Sequence, residues 1–325
     1  MNRIHSAKWL VFLVAVFVFV GCDTNSMGGP NEPDETEIEN PQGDYSPFED
    51  DSSKVVLVVW GTDGLHRAYS APFNNPTALD QLPVDPSITL SARFNSDRSK
   101  LIIGNTESTI LKLFSHLNNS FSEPINLPEL PVNPVATFVV EQSEHLVYVS
   151  SSVNVSGGRV SVWNVDAGEV VNAFDGWARG IIEGSKVVIT SRGMTYWYDI
   201  ETDSLFAPDR GQFWSRQATG APYGRIIDVD FDLDSGATAL STGSSGPAES
   251  AGIYVIDTNG DILGQFESSD TLRSHATFGP PGYVLYLRWG EHKNSLWAFD
   301  YEAGCSRLLI AEDDIPEGRL VGFTF

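Results

Sequence analysis

Four aspartates at two-residue spacing, Asp228, Asp230, Asp232 and Asp234, are the first group in this chain whose types and spacing suggest chemistry. Carboxylates that alternate along a strand project from one face, an arrangement open to calcium. The EF-hand pattern is not met: counting from Asp230, Gly236 falls at position seven and Ser241 stands where the terminal Glu belongs. A solvent-facing acidic strand is therefore expected. The six histidines (5, 66, 116, 145, 275 and 292) show neither HxH nor HExxH spacing, so no zinc site is implied. No Gly-x-Ser-x-Gly elbow or phosphate-cradling glycine loop occurs, and no cofactor is implied. His275 precedes a strand-like run and is a candidate to face a central channel. Cys305 follows a turn (Ala303-Gly304), and nothing near it announces the His and electropositive pocket of a catalytic thiol. Binding chemistry is better represented. Trp60, Phe213, Trp214 and Trp289 fall outside strand alternation, with Arg216 among the scarce cations beside them. Aromatic faces flanked by guanidinium groups suit sugars, peptides or anions.

The segments that would carry these residues to their place begin with an export signal. Trp9–Val20 is a run of twelve apolar residues behind Arg3 and Lys8, the length of a signal-peptide core and short of a membrane span. It ends in Phe19-Val20-Gly21-Cys22. This resembles the lipobox of bacterial lipoproteins, in which a small residue precedes an invariant cysteine that is acylated and becomes the mature N-terminus. Gly21 and Cys22 fit, while Phe19 stands where the family usually has Leu. The resemblance implies lipidation at Cys22, palmitate-type acyl chains, and membrane anchoring in the cell envelope on the periplasmic or cell-surface side. With Cys22 lipidated, Cys305, the other of the two cysteines, is expected to lack an intrachain partner.

Residues 23–53 hold ten carboxylates, no Lys or Arg, and prolines at 30, 33, 41 and 47. So few apolar side chains cannot offset the entropy of ordering, and a disordered acidic tether is expected. A flexible chain of that length spans roughly 30 Å. The whole chain carries 43 acidic residues against 20 basic ones, a balance that repels nucleic-acid phosphates and excludes nucleic acid as a partner. Asp supplies 24 of the acids and Lys only six of the bases. Ordinary acidic solubility and halophilic adaptation both fit that composition.

From Lys54 the texture changes. Runs of β-branched and aromatic residues recur (Val55–Trp60, Leu101–Ile103, Val135–Val140, Leu146–Ser150, Val187–Thr190, Ile226–Phe231, Val284–Trp289), broken by Gly, Asn, Asp, Ser and Pro. No helical period is sustained, so residues 54–325 are expected to form one all-β domain. Four segments repeat the order aromatic, any residue, apolar, acid, then a turn: Trp163 to Asp166, Tyr198 to Glu201, Tyr254 to Asp257 and Trp297 to Asp300. The acid is expected to open the turn by accepting from backbone N–H groups ahead of it. Arg210–Gly224 and Ser241–Ser250 read as inserted loops.

These segments resemble the third strand and following hairpin of WD-repeat and TolB-type β-propeller blades, with residues 160–171 (VSVWNVDAGEVV) the nearest match. Phe94 to Lys100 and Phe231 to Gly236 resemble the family's first hairpin. The resemblance implies a single β-propeller. Third strands fall near residues 67, 113, 163, 198, 254 and 297, a spacing that favours six blades, seven shorter ones being the alternative. Arg319–Phe325 is expected to supply the first strand of the blade opened by Lys54–Trp60, so that the two ends share one blade and leave no long open edge. Loops joining second to third strands, and blade to blade, then share one face, which gathers Trp60, Phe213, Trp214, Arg216 and Trp289. The expectation is a monomeric envelope binding or scaffold module for a peptide, glycan or protein. The alternative is a propeller hydrolase or lyase with a divalent metal in its channel, held by Asp228 or His275 among others.

Overall fold

The computed structural model describes residues 53–84, 90–94, 100–105, 110–115, 120–121, 125–126, 134–140, 145–151, 158–164, 167–191, 194–207, 225–243, 251–268, 275–289, 293–316 and 318–325. Cys22, Phe213, Trp214 and Arg216 lie outside them, as does the segment 23–52. Among the described residues the strands fall into six antiparallel sheets. The first holds β1 (Lys54–Trp60), β2 (His66–Pro72) and β3 (Asp80–Gln81). The second is β4 (Leu90–Phe94), β5 (Lys100–Asn105), β6 (Ile110–Ser115) and β7 (Ser120–Phe121), with β8 (Ile125–Asn126) also on β6. The third is β9 (Pro134–Val140), β10 (His145–Ser151), β11 (Gly158–Asn164) and β12 (Glu169–Asp175). The fourth comprises β13 (Trp177–Ile182), β14 (Lys186–Ser191), β15 (Met194–Asp199) and β16 (Ser204–Phe206). The fifth runs β17 (Arg225–Phe231), β18 (Thr238–Gly243), β19 (Ala251–Ile256) and β20 (Ile262–Ser268). The sixth is β21 (Ala276–Phe278), β22 (Tyr283–Trp289), β23 (Asn294–Asp300) and β24 (Cys305–Ile310). β25 (Arg319–Thr324) then returns to pair with β1, completing the first sheet as β25-β1-β2-β3.

Successive sheets touch in chain order, and the sixth meets the first through β23 and β25. This is a β-propeller. Each third strand expected from the sequence is third in its sheet, and the first and last described strands, β1 and β25, share one sheet as expected. Because every sheet packs against a neighbour on both sides, its middle strands are apolar on both faces. Strand β22 illustrates the rule. Leu285 and Leu287 join Val55, Leu57, Val59 and Leu296 in the core between the sixth and first sheets, while Val284 and Tyr286 join Ala239, Val255 and Phe278 in the core facing the fifth. Equivalent cores lie between the third and fourth sheets and between the fourth and fifth.

The repeated turns form as expected in kind but not in register. Asp257 and Asp300 accept from the amides two and more residues ahead, at 2.8–3.1 Å. In the fourth sheet the cap is not Glu201 but Asp199, two residues earlier, and in the third Asn164 accepts from the Ala167 amide at 2.8 Å, Asp166 lying outside the described residues. Four residues beyond three of these caps stand Gly168, Asp203 and Gly304, all at positive φ. Asp203 occupies a conformation that favours glycine. Its carboxylate accepts from the Tyr198 hydroxyl at 2.7 Å and from Asn172 Nδ2, on the third sheet, at 3.0 Å. Those bonds hold the Asp203 carboxyl below its usual range, and a glycine there would forfeit them.

The aspartate series corrects a second expectation. Only Asp228 and Asp230 lie on β17, and neither belongs to a solvent-facing acidic face. Asp228 is buried, and Asp230 accepts from the Phe278 amide on β21 at 2.7 Å. Asp232 instead closes the turn into β18, accepting from Ser235 Oγ at 2.6 Å. The inner strand of each sheet pairs on one side only, so its other edge needs partners from elsewhere. Asp230 supplies one to β21, and the Arg179 guanidinium supplies another by donating to the Ile227 carbonyl of β17. The run Ser241–Ser250 is likewise not wholly a loop, since β18 extends through Gly243.

Candidate functional site: an indole–guanidinium rim

Trp289 is the last residue of β22 and pairs across the ladder with Asn294, the first of β23. Asn294 is fully buried, and its Nδ2 donates to the Leu320 carbonyl of β25 at 2.5 Å. That bond ties the sixth sheet to the first. The Asn294 side-chain oxygen in turn accepts from Nε and an Nη of Arg319, each at 3.3 Å. So held, the Arg319 guanidinium lies 4.6 Å from the centre of the Trp289 ring, a close cation–π distance. Trp289 is nevertheless 42% exposed. Locally the sequence only ends an apolar strand in a tryptophan; its planar partner is an arginine from the adjoining sheet.

Trp60 ends β1 at the same end of the first sheet, in register with Arg319. It is 49% exposed and stacks on His66, with ring centroids 6.2 Å apart and planes 8° apart. Strand alternation sends Trp60 to the face opposite Val59, whereas Val59 and Leu320 point toward the sixth sheet. The structure therefore sets both indoles on the rim of neighbouring sheets, with the Arg319 ladder position between them. Behind Trp60, Asp63 accepts from the Leu65 amide and pairs with Arg67. The Arg67 hydrogen bond is the largest cause of its carboxyl falling to about 2. Phe213, Trp214 and Arg216, expected on this face, fall outside the described residues.

Arg319 and Asn294 were not legible as site residues. Arg319 reads simply as the opening of a strand, and Asn294 follows a Lys in an unremarkable turn. Only closure of the ring brings them onto Trp289.

A second polar pair lies on the inner strands. His275 Nδ1 is 3.1 Å from Asp228 Oδ2, with the Asp228 side chain 2% exposed and that of His275 48% exposed. A buried carboxylate thus fixes one ring nitrogen and leaves the imidazole open to solvent. The two residues named for the metal-channel alternative are thus in contact with each other. Among the described residues, no group of three or more His, Cys, Asp or Glu is placed to hold a metal ion. Cys305 corrects a further expectation: it is disulfide-bonded, not a cysteine without a partner. The chain's other cysteine is Cys22. A sulfur that carries diacylglycerol as a thioether has no valence left for a disulfide, and Cys22 lies outside the described residues.

No protein-family model matches the chain, and no curated protein matches it. Among solved structures, TolB from Acinetobacter baumannii superimposes with a TM-score of 0.59 at 16% identity, over 85% of this chain and 67% of that one. A nidogen/laminin complex gives 0.56 at 11% identity, over 84% and 98%. A putative TolB from Agrobacterium tumefaciens gives 0.50 at 12% identity, over 79% and 88%. Likeness at these identities shows the propeller fold. Among the described residues no helix is long and apolar enough to cross a membrane.

Proposed function

We propose that this chain is a cell-envelope protein, anchored in its mature form through lipid on Cys22, which takes the place of any disulfide from that sulfur, and monomeric, whose propeller serves as a binding or scaffold module for a peptide, glycan or protein. The observation that carries the reading is the exposed Trp289 ring capped by Arg319. An indole left 42% open next to a fixed guanidinium combines apolar area with a charge that has already lost its rotamer freedom. Such a pair has the character of an interface anchor, since Trp and Arg dominate measured hot spots. The nidogen propeller, seen in complex with laminin, is an instance of this fold meeting a protein. The full-length protein, probed against arrays of glycans and peptides, is expected to select ligands that Trp289→Ala loses with an unchanged melting temperature. Selection unaffected by Trp289→Ala refutes the site.

The Asp228–His275 pair favours one other reading, a hydrolase or lyase in which the imidazole moves a proton and the carboxylate orients it. Chromogenic ester and glycoside substrates, tried with and without divalent metal, test this. It requires activity that His275→Ala abolishes.

A further inference from the structure

Arg319 is a cation that the chain fixes in place without neutralising it. Other basic side chains at this end of the sheets are matched: Arg67 pairs with Asp63, and Lys293 lies 4.0 Å from Asp313 while donating to the Glu312 carbonyl at 3.2 Å. Among the described residues Arg319 has no carboxylate within ion-pair distance, in a chain whose acids outnumber its bases 43 to 20. Its hydrogen-bond partner among them is a neutral oxygen, Oδ1 of the fully buried Asn294, which accepts from Nε and Nη2. A guanidinium has five N–H donors, so three remain, including those of Nη1. Nη1 has no partner among the described residues and is not buried. The edge across the two Nη atoms is therefore open, and that edge suits a carboxylate bound through two parallel hydrogen bonds.

We propose that Arg319 takes the carboxylate of an aspartate or glutamate from a partner peptide, with a neighbouring apolar side chain of that peptide laid on Trp289. The proposal rests on the reading of the rim as a binding site and narrows it to one class of ligand. Asn294 on one side and the Trp289 ring, 4.6 Å away, on another hold the guanidinium before any ligand arrives, so little ordering is left for binding to oppose. Sugars are less well served. Their hydroxyls need acceptors as well as donors, and side-chain acceptors at the rim are already engaged: Asn294 Oδ1 by Arg319, and Asp63 by Arg67 and the Leu65 amide. The exposed indoles of Trp289 and Trp60, in contrast, offer apolar area to either side of the Arg319 ladder position. An acidic peptide is repelled by most of this carboxylate-rich surface, so the contact at Arg319 also decides where it lands.

The test uses the full-length protein and two pools of fluorescein-labelled, amidated heptapeptides, with Glu or Gln at the centre between aromatic or aliphatic residues. By fluorescence anisotropy the Glu pool is expected to bind on the order of tenfold tighter than the Gln pool. Arg319→Lys keeps the charge but loses the planar fork and its stack on the indole, and should bring the two pools to within about twofold of each other. Arg288→Gln removes a charge beside Trp289 but on the opposite face of β22, and should leave the preference intact. Because the Glu-to-Gln ratio is read within each variant, a loss of folded protein lowers both pools alike and does not mimic the effect. Equal binding of the two pools, weakened in both by Trp289→Ala, overturns the carboxylate assignment and leaves the rim standing. Binding that neither Trp289→Ala nor Arg319→Lys alters overturns the rim as well. The proposal also falls if the Glu pool does not bind, if Arg288→Gln erases the preference as Arg319→Lys does, or if an oligogalacturonate displaces the Glu pool and binds more tightly.

Discussion

Removing β25 tests both ring closure and the origin of the rim. The strand pairs with β1 at five register positions, with a bulge between Val58 and Val59. Leu320, Phe323 and Phe325 are buried to 4% exposure or less and belong to the core shared with Leu57, Leu285, Leu287 and Leu296. Burying each such side chain contributes about 1.5–3 kcal/mol, so the three together contribute about 5–9 kcal/mol. Losing the ladder adds unsatisfied groups along β1, at about 1–3 kcal/mol for each that stays buried. The sum reaches the whole net stability of an ordinary domain, about 5–15 kcal/mol. Deleting residues 319–325 should therefore abolish cooperative unfolding or drive aggregation through the exposed edge of β1. Phe325→Ala gives a measurable intermediate. Phe325 meets Phe73 edge-on, with centroids 5.1 Å apart, and truncating it should cost about 3–5 kcal/mol. Urea unfolding of the full-length protein and both variants reads these values. A deletion that unfolds within about 1 kcal/mol of the parent would refute the argument, because a frayed terminal segment costs that little.

Three other predictions concern charge and anchoring. Metabolic labelling with a fatty acid should mark the wild-type chain and not Cys22→Ala; equal labelling, or a Cys22–Cys305 peptide in a non-reducing digest of the mature protein, would refute lipidation. The Asp-rich, Lys-poor surface should melt at a higher temperature in molar than in dilute salt, as screening relieves carboxylate repulsion, and a flat or falling series would leave plain acidic solubility. Asp63, held at about 2 by Arg67 against an ordinary value of 3.8, has a folded pKa below its unfolded one. Its contribution to stability is thus present above about pH 4 and is lost as pH falls through 2. NMR titration should find the depressed value and Arg67→Ala should return it toward the ordinary one.

What was legible in the sequence follows physical rules that act locally. Strands such as Val55–Trp60 and Val284–Trp289 announce themselves because a sheet covered on both sides needs apolar residues at every position. Turn chemistry was visible too, but its register was not. Asp199 and Glu201 are both able to accept amides, and only the end of β15 at Asp199 decides which one caps the turn. The aspartates failed for a related reason. Alternation showed that Asp228 and Asp230 share a face, yet said nothing of whether that face meets solvent or the edge of β21. The rim lay furthest from reach, since Arg319 meets Trp289 only when the last strand closes against the first. Long-range geometry of that kind leaves no trace in residue spacing.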